Sequence, residues 1–341
     1  MWFRFDLKLR KEERGLNQFD GIKRALEDAR KVGVVGHIMP DGDCISSVLS
    51  AGLGLEKLGK EVRMIVDYEI PWYYYEFDAV ERIHRAGALQ NWDPDVILVL
   101  DASSPDRVGD VEEFLEKALV LVVDHHATNH AFGDFNWVDT KFGATAQMVL
   151  KLNKALGVLY DPELALYNFI GIATDTGFFR YANSDVQVFE DAAELVRLGA
   201  NPNVVASTIL ENKKLEQLGL FCEVVHGLKI ECDGLLAYSA IPWNAFEKRG
   251  LSESDAAGFV GEMRAIRGVE VAVLFSESKE GEIHVSMRSK KWFDLTETAV
   301  HFGGGGHPRA AGFTVKAGEA SLAEVVESTV QYLKIRLTQR G

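Results

Sequence analysis

The chain has 341 residues, of which 47% are apolar and 26% are charged. This composition is typical of a globular protein with a hydrophobic core, and the length of the chain predicts two domains. No apolar run approaches the roughly 18 residues of a membrane span, and the N-terminal stretch lacks the apolar core of a signal peptide, so we expect a cytoplasmic protein without a membrane partner. The net charge of −14 argues against electrostatic binding of long nucleic acids.

Short apolar runs alternate with helical patterns through the first half of the chain. Strands are predicted at 33–37, 61–67, 95–101 and 118–124. The last two are continuous apolar runs, typical of strands buried on both faces of a parallel sheet. Helices are predicted at 46–60, 143–157, 162–177 and 184–199 from their apolar spacing. The alternation predicts an α/β fold with a parallel-sheet N-terminal domain at 20–200.

The second half is predicted to be a separate, smaller α/β domain. A helical connector is expected at 201–229 and the C-terminal domain at 230–341. Strand patterns occur at 234–242, 269–278 and 282–289, and helical patterns at 252–266 and 321–337. A glycine-rich stretch, HFGGGGHPRAAGF (301–313), precedes the last helix.

Four polar clusters lie at the ends of predicted elements: His37, Asp41 and Asp43; Asp101; Asp124, His125 and His126; and Asp175. In open α/β sheets, the functional crevice lies outside the carboxyl ends of the strands. Oxygen and imidazole donors without thiolates suit manganese, magnesium or iron. One such cluster alone is more often a turn or a helix cap, but an Asp-His-His run after a buried strand has no structural role that we can name. Together the clusters predict a catalytic metal site, where two neighbouring ions can share a bridging carboxylate.

The series HxxPDxD, a strand-end Asp, DHH and TDTGxFR resembles the motifs of the DHH phosphoesterase superfamily, which includes RecJ-type exonucleases and nanoRNase/pAp-phosphatase enzymes. The resemblance covers residues 22–335. It implies two Mn²⁺ ions, with Mg²⁺ or another divalent metal as the alternative. The implied ligands are His37, Asp41 and Asp101 for one ion and Asp43, His125 and Asp175 for the other, with Asp101 bridging. It also implies that Asp124 supports the imidazoles and that His126 contacts the substrate phosphate or assists the leaving group.

The glycine-rich stretch is either a flexible linker or a nest of N–H groups that binds an anion. GGGGHxxAAG resembles the signature of the DHH-associated C-terminal domain, which implies substrate binding by Gly304, Gly305, Gly306 and His307. Arg288, on the polar face of the strand predicted at 282–289, is a candidate phosphate clamp. Arg180 is a second, weaker candidate.

The resulting functional hypothesis is hydrolysis of short RNA or DNA oligonucleotides to mononucleotides, with 3′-phosphoadenosine 5′-phosphate (pAp) as a second substrate. The alternatives are a cyclic or linear dinucleotide phosphodiesterase, a RecJ-like single-strand exonuclease, and a nucleotide-binding sensor without turnover. RNA or DNA preference, digestion polarity and the number of subunits stay open, and a homodimer is one of the assemblies that the sequence permits.

Overall fold

A computed structural model describes residues 18–338, and the expectation about a signal peptide rests on residues outside this range. The chain divides into two compact units, Met1–Asn212 and Lys213–Gly341. The two helices within the predicted connector, Pro202–Ile209 and Leu215–His226, fall in different units. The domain limits at 200 and 230 stay predictions. Within the described range, no helix has both the length and the apolar character needed to cross a membrane.

The first unit is built on a six-stranded sheet in which every pair of neighbours is parallel. Its strands are β1 (Lys31–Val35), β2 (Glu61–Ile65), β3 (Ile83–His84), β4 (Val96–Leu100), β5 (Leu119–Asp124) and β6 (Phe135–Val138). The strand order is β3-β2-β1-β4-β5-β6, so the direction of winding reverses between β1 and β4. The predicted parallel-sheet fold class is confirmed. The sequence reading missed β3 and β6 because β3 has only two residues and β6 is only half-buried along its length.

Both faces of this sheet are covered, which explains the continuous apolar runs. Val34 and Leu98 pack into one hydrophobic cluster, whereas their neighbours Val35 and Val99 pack into another. Successive side chains of a strand point to opposite faces, so a strand covered on both faces is apolar throughout, as β4 is at all five of its positions.

Seven α-helices accompany the sheet in the described part of this unit: α1 (Gln18–Asp28), α2 (Gly42–Lys57), α3 (Glu112–Leu115), α4 (Thr145–Ala155), α5 (Pro162–Asp175), α6 (Val186–Arg197) and α7 (Pro202–Ile209). Helix α2 packs against α4 and α5 and is buried from Gly42 to Leu55. Its N-cap is Asp41, whose carboxylate accepts hydrogen bonds from the N–H groups of Asp43 and Cys44. Asp43 therefore lies inside the helix, in its first turn.

The second unit contains a mixed six-stranded sheet of order β11-β12-β10-β9-β8-β7. Its strands are β7 (Lys229–Glu231), β8 (Leu236–Ile241), β9 (Val271–Glu277), β10 (Ile283–Ser289), β11 (Gly305–His307) and β12 (Ala310–Val315). Only β8 and β9 pair in parallel among the described strands. Its helices are α8 (Leu215–His226), α9 (Trp243–Glu247), α10 (Phe259–Ala265), α11 (Thr296–His301) and α12 (Leu322–Thr338).

Candidate metal centre

The sheet topology brings the polar clusters of the first unit to one edge. His37 and Asp41 follow β1, Asp101 follows β4, and His125 follows β5. These three strands are neighbours and run in parallel, so their carboxyl ends lie side by side. The edge includes the point where the winding reverses, which is the usual place for a ligand site in an open α/β sheet.

Imidazole and carboxylate atoms converge around two points at this edge. The Nε2 atom of His37 lies 3.9 Å from Oδ1 of Asp41 and 3.5 Å from Oδ2 of Asp101. The Nε2 atom of His125 lies 3.8 Å from Asp43, 3.7 Å from Asp101 and 3.6 Å from Asp175. These separations exceed those of hydrogen bonds. They are close to the roughly 3–3.5 Å between ligand atoms that each lie about 2.1 Å from a shared ion.

Asp101 connects the two groups of ligand atoms. Its Oδ2 faces His37, whereas its Oδ1 faces His125. The residue is 3% exposed and has a left-handed backbone conformation, with φ of 61°. Such a conformation is costly for a residue with a side chain and is concentrated at functional sites. The Asp101 carboxylate thus lies between the two groups of imidazole and carboxylate atoms.

Backbone carbonyls orient the two imidazoles. Nδ1 of His37 lies 2.7 Å from the carbonyl oxygen of Ile38, and Nδ1 of His125 lies 3.2 Å from that of Phe142. Because a carbonyl only accepts, both contacts favour the tautomer with the proton on Nδ1, in which the Nε2 lone pair points into the centre. At His37 the 2.7 Å contact with the Ile38 carbonyl outweighs the 3.2 Å contact with Nη2 of Arg107, which can only donate. Burial lowers the pKa of both residues to about 4, with Arg107 adding to the effect at His37. Both rings are therefore neutral near pH 7, as a metal ligand must be.

The buried carboxylates are held by the start of α4. Asp43 accepts hydrogen bonds from the N–H groups of Thr145 (2.6 Å) and Ala146 (2.8 Å) and from Ser47 Oγ (3.2 Å). Asp101 accepts one from the hydroxyl of Thr145 (2.9 Å). Burial and the charge of Asp41 raise the pKa of Asp43 to about 7. Burial and the charge of Asp43 hold the pKa of Asp101 well above its usual range. These buried carboxylates, together with the imidazole donors, could hold a divalent metal ion.

Asp124 and His126 form a separate pair beside this centre. The Asp124 carboxylate lies 2.7 Å from Nδ1 of His126, and Asn129 donates to its other oxygen at 2.6 Å. Burial opposes a charged imidazole, but the charge and hydrogen bond of Asp124 outweigh it and raise the pKa of His126 to about 9. His126 is therefore a cation near pH 7. The Asp124 carboxylate accepts a hydrogen bond from Nδ1 of His126, whereas Nδ1 of His125 donates to the carbonyl oxygen of Phe142.

Asp175 is the last residue of α5, and a sharp turn follows it. Asn183 donates to its Oδ2 at 3.3 Å. Gly177, Phe178 and Phe179 have positive φ angles of 58°, 56° and 63°, a left-handed turn that redirects the chain immediately after the carboxylate. Arg180 follows this turn, is exposed, and donates from Nε to the carbonyl of Gly177.

The residues predicted to bind substrate in the second unit lie on two of its strands. Arg288 is half-buried on β10. Gly305, Gly306 and His307 form β11, and Gly304 precedes it. The stretch is thus a hairpin strand rather than a linker. A Cβ on Gly304 would lie 2.1 Å from the carbonyl oxygen of Gly312, so close strand packing requires glycine there. The N–H of Gly304 donates to the carbonyl oxygen of Ala299 in α11. Residues Gly305 to His307 pair with β12 in an antiparallel ladder, so this pairing takes up part of the N–H groups of the stretch.

Sequence reasoning missed three side chains that contact the predicted ligands or their partners. Thr145 donates to Asp101, Asn129 donates to Asp124, and Nη2 of Arg107 lies 3.2 Å from Nδ1 of His37. Arg107 and Asn129 follow Asp101 and Asp124 closely in the chain, which is the one signal that could have indicated them. Thr145 is 44 residues from Asp101 and has no such signal.

Comparison with known proteins agrees with this architecture. Residues 31–172 match the family model for the DHH family N-terminal domain, and residues 234–334 match that for the DHHA1 domain. The bifunctional oligoribonuclease and PAP phosphatase NrnA of Thermus thermophilus is 33% identical over 309 residues, or 90% of each chain. The protein of the same name from Bacillus subtilis is 27% identical over 71% of this chain and 75% of its own.

The fold also has a counterpart among solved structures. An exopolyphosphatase-related protein from Bacteroides fragilis superposes with a TM-score of 0.82 and 24% identity, over 94% of this chain and 97% of that one. Fold, site and matches together define the class of the protein as a two-domain phosphoesterase. The chain belongs to the DHH family.

Proposed function

We propose that this protein is a two-metal, manganese-dependent phosphoesterase that hydrolyses short oligonucleotides to mononucleotides and also dephosphorylates pAp. The observation that carries the proposal is the Asp101 carboxylate, whose two oxygens face two different groups of ligand atoms. The relatives named for oligoribonuclease and PAP phosphatase activity support the substrate class. The net charge of −14 favours short substrates over long polymers.

The ligand assignment follows the two groups of atoms. His37, Asp41 and Asp101 would hold one ion, and Asp43, His125 and Asp175 the other, with Asp101 shared. Two bound ions would activate a water molecule and neutralise charge on the phosphoryl oxygens. Hard oxygen and imidazole donors suit Mn²⁺, and also Mg²⁺.

His126 is the best candidate for proton transfer to the leaving group. Asp124 binds its Nδ1 atom, so Nε2 carries the second proton of the cation and can donate it to the departing oxygen. Asn129 fixes the other oxygen of Asp124, which keeps the pair in one orientation. In the second unit, we propose that Arg288, Gly305, Gly306 and His307 bind the nucleotide, with Arg288 on a phosphate.

The proposal is tested by turnover with Mn²⁺ on pAp, pApA, a short RNA, a short DNA and a long single strand. Fast hydrolysis of pAp and the short oligomers, with the long strand spared, is expected. Preference for the long strand would favour a RecJ-like exonuclease. A cyclic dinucleotide is added to the panel, and preference for it would favour a dinucleotide phosphodiesterase. Metal binding without any turnover would favour a sensor.

Asp101→Asn tests the shared ligand. It is expected to lower bound Mn²⁺ from two ions per chain and to abolish hydrolysis. Asp95→Asn is the matched control, because Asp95 precedes the other end of the same strand, where its carboxylate accepts the N–H groups of Arg30 and Lys31. Normal hydrolysis by Asp101→Asn would refute the assignment.

A further inference from the structure

We propose that the aromatic side chains of Trp72 and Tyr73 form a binding surface for the nucleobase of the substrate, beside the candidate metal centre. This inference rests on the proposed function and deepens it, because it names a second part of the substrate and the residues that contact it. The segment Trp72–Glu76 is a short 3₁₀ helix in the connection between β2 and β3.

Tyr74 places this segment against the metal centre. Its ring is 3% exposed, and its hydroxyl lies 2.6 Å from the position that a Cβ on Gly42 would occupy. Gly42 separates Asp41 from Asp43, the two predicted ligands at the start of α2. The 3₁₀ helix therefore touches the turn that carries two of the carboxylates, and only glycine leaves room for the Tyr74 hydroxyl there.

A row of rings continues outward from Tyr74. The ring centre of Tyr73 lies 4.7 Å from that of Tyr74, and that of Trp72 lies 5.8 Å from Tyr73 at an interplanar angle of 86°. Trp72 and Tyr73 are partly exposed. The two rings thus form a right-angled corner that reaches from the buried Tyr74 towards solvent.

This corner has the chemistry that a nucleobase needs. A base is joined to its phosphate through one ribose, so a surface that binds the base has to lie close to the phosphate site. Stacking of a base on an aromatic side chain does not depend on charge and tolerates every base. A chain with a net charge of −14 gains little from general electrostatic attraction to nucleotides, so stacking would supply affinity where charge does not.

The test compares binding of AMP and ribose 5-phosphate to the full chain with Mn²⁺, by isothermal titration calorimetry. The two ligands differ in the base, so the ratio of their affinities measures the contribution of the base without requiring turnover. We expect the wild type to bind AMP about 5- to 150-fold more tightly, the range that one stacked base provides. Trp72→Ala and Tyr73→Ala should reduce this preference by most of that factor while changing ribose 5-phosphate affinity less than about twofold.

Two sets of controls separate stacking from misfolding. Trp72→Phe and Tyr73→Phe keep a ring and should retain most of the preference for AMP. Tyr75→Ala removes a 52% exposed ring of the same 3₁₀ helix and should leave the preference unchanged. A wild type that binds both ligands equally, or alanine variants that keep the full preference, would overturn the inference. Absence of hydrolysis on every nucleotide would instead overturn the proposed function and leave base-dependent AMP binding as a separate result.

Discussion

Thr145 offers the sharpest test of how the candidate centre is held together. Its hydroxyl donates to Oδ1 of Asp101 at 2.9 Å, while its N–H donates separately to Asp43 at 2.6 Å. Thr145→Val keeps the shape and the N–H but removes the hydroxyl, so the change is confined to one hydrogen bond. A hydrogen bond to a charged group contributes about 1.5–3 kcal/mol. If that bond orients Asp101 between two ions, its loss should weaken Mn²⁺ binding or kcat/KM by about 10- to 150-fold, in line with the effect of other residues that orient metal ligands.

The assay is Mn²⁺ binding by calorimetry together with kcat/KM on pApA. Thr145→Ser keeps the hydroxyl and should stay close to the wild type. Thr329→Val is the matched control in the second unit, because the Thr329 hydroxyl is buried and has no hydrogen-bond partner in the described structure. Wild-type metal affinity and activity in Thr145→Val would refute the view that this bond positions Asp101.

Two further predictions concern stability. In the second unit, the buried carboxylate of Glu270 accepts hydrogen bonds from the N–H groups of residues 291–293 at 2.6–3.0 Å. Glu270→Ala should lower the free energy of unfolding, measured by urea titration, by roughly 3–5 kcal/mol, because it leaves several buried donors unpaired. A loss below about 1 kcal/mol would contradict this role. In the metal-free first unit, the charge and hydrogen bond of Asp124 raise the pKa of His126 from 6.5 to about 9, so between pH 6.5 and 9 the folded state binds more protons at this residue than the unfolded state does. The free energy of unfolding without metal should therefore fall from pH 6.5 to 9. Burial lowers the pKa of His37 and His125 to about 4, so these two residues change the stability only below that pH range. Thermal unfolding in chelator across this range should show a smaller fall in His126→Gln, and an equal slope in both proteins would contradict the raised pKa of His126.

The chain positions of the candidate ligands were accessible from the sequence. Buried parallel strands have apolar residues at every position, so an Asp or an Asp-His-His run that ends such a strand stands out. The carboxyl ends of neighbouring parallel strands lie at one edge of a sheet, so the sequence alone predicts that Asp101 and His125 lie near each other. The glycine-rich stretch at 301–313 is evident in the sequence, but its composition alone does not tell whether it is a flexible linker or a structured loop.

The tertiary structure decided which groups hold those ligands and what surrounds them. The hydrogen bonds from Thr145 to Asp101 and from His125 to the Phe142 carbonyl oxygen join residues that are 44 and 17 positions apart. Local periodicity in the sequence carries no information about such pairs. The placement of Tyr74 against Gly42 is of the same kind, because it depends on how the β2–β3 connection packs on α2. The sequence by itself determined which side chains can bind a metal, because residue type and position at a strand end are both visible there. Long-range packing alone determined the protonation and orientation of these side chains and the aromatic surface beside them.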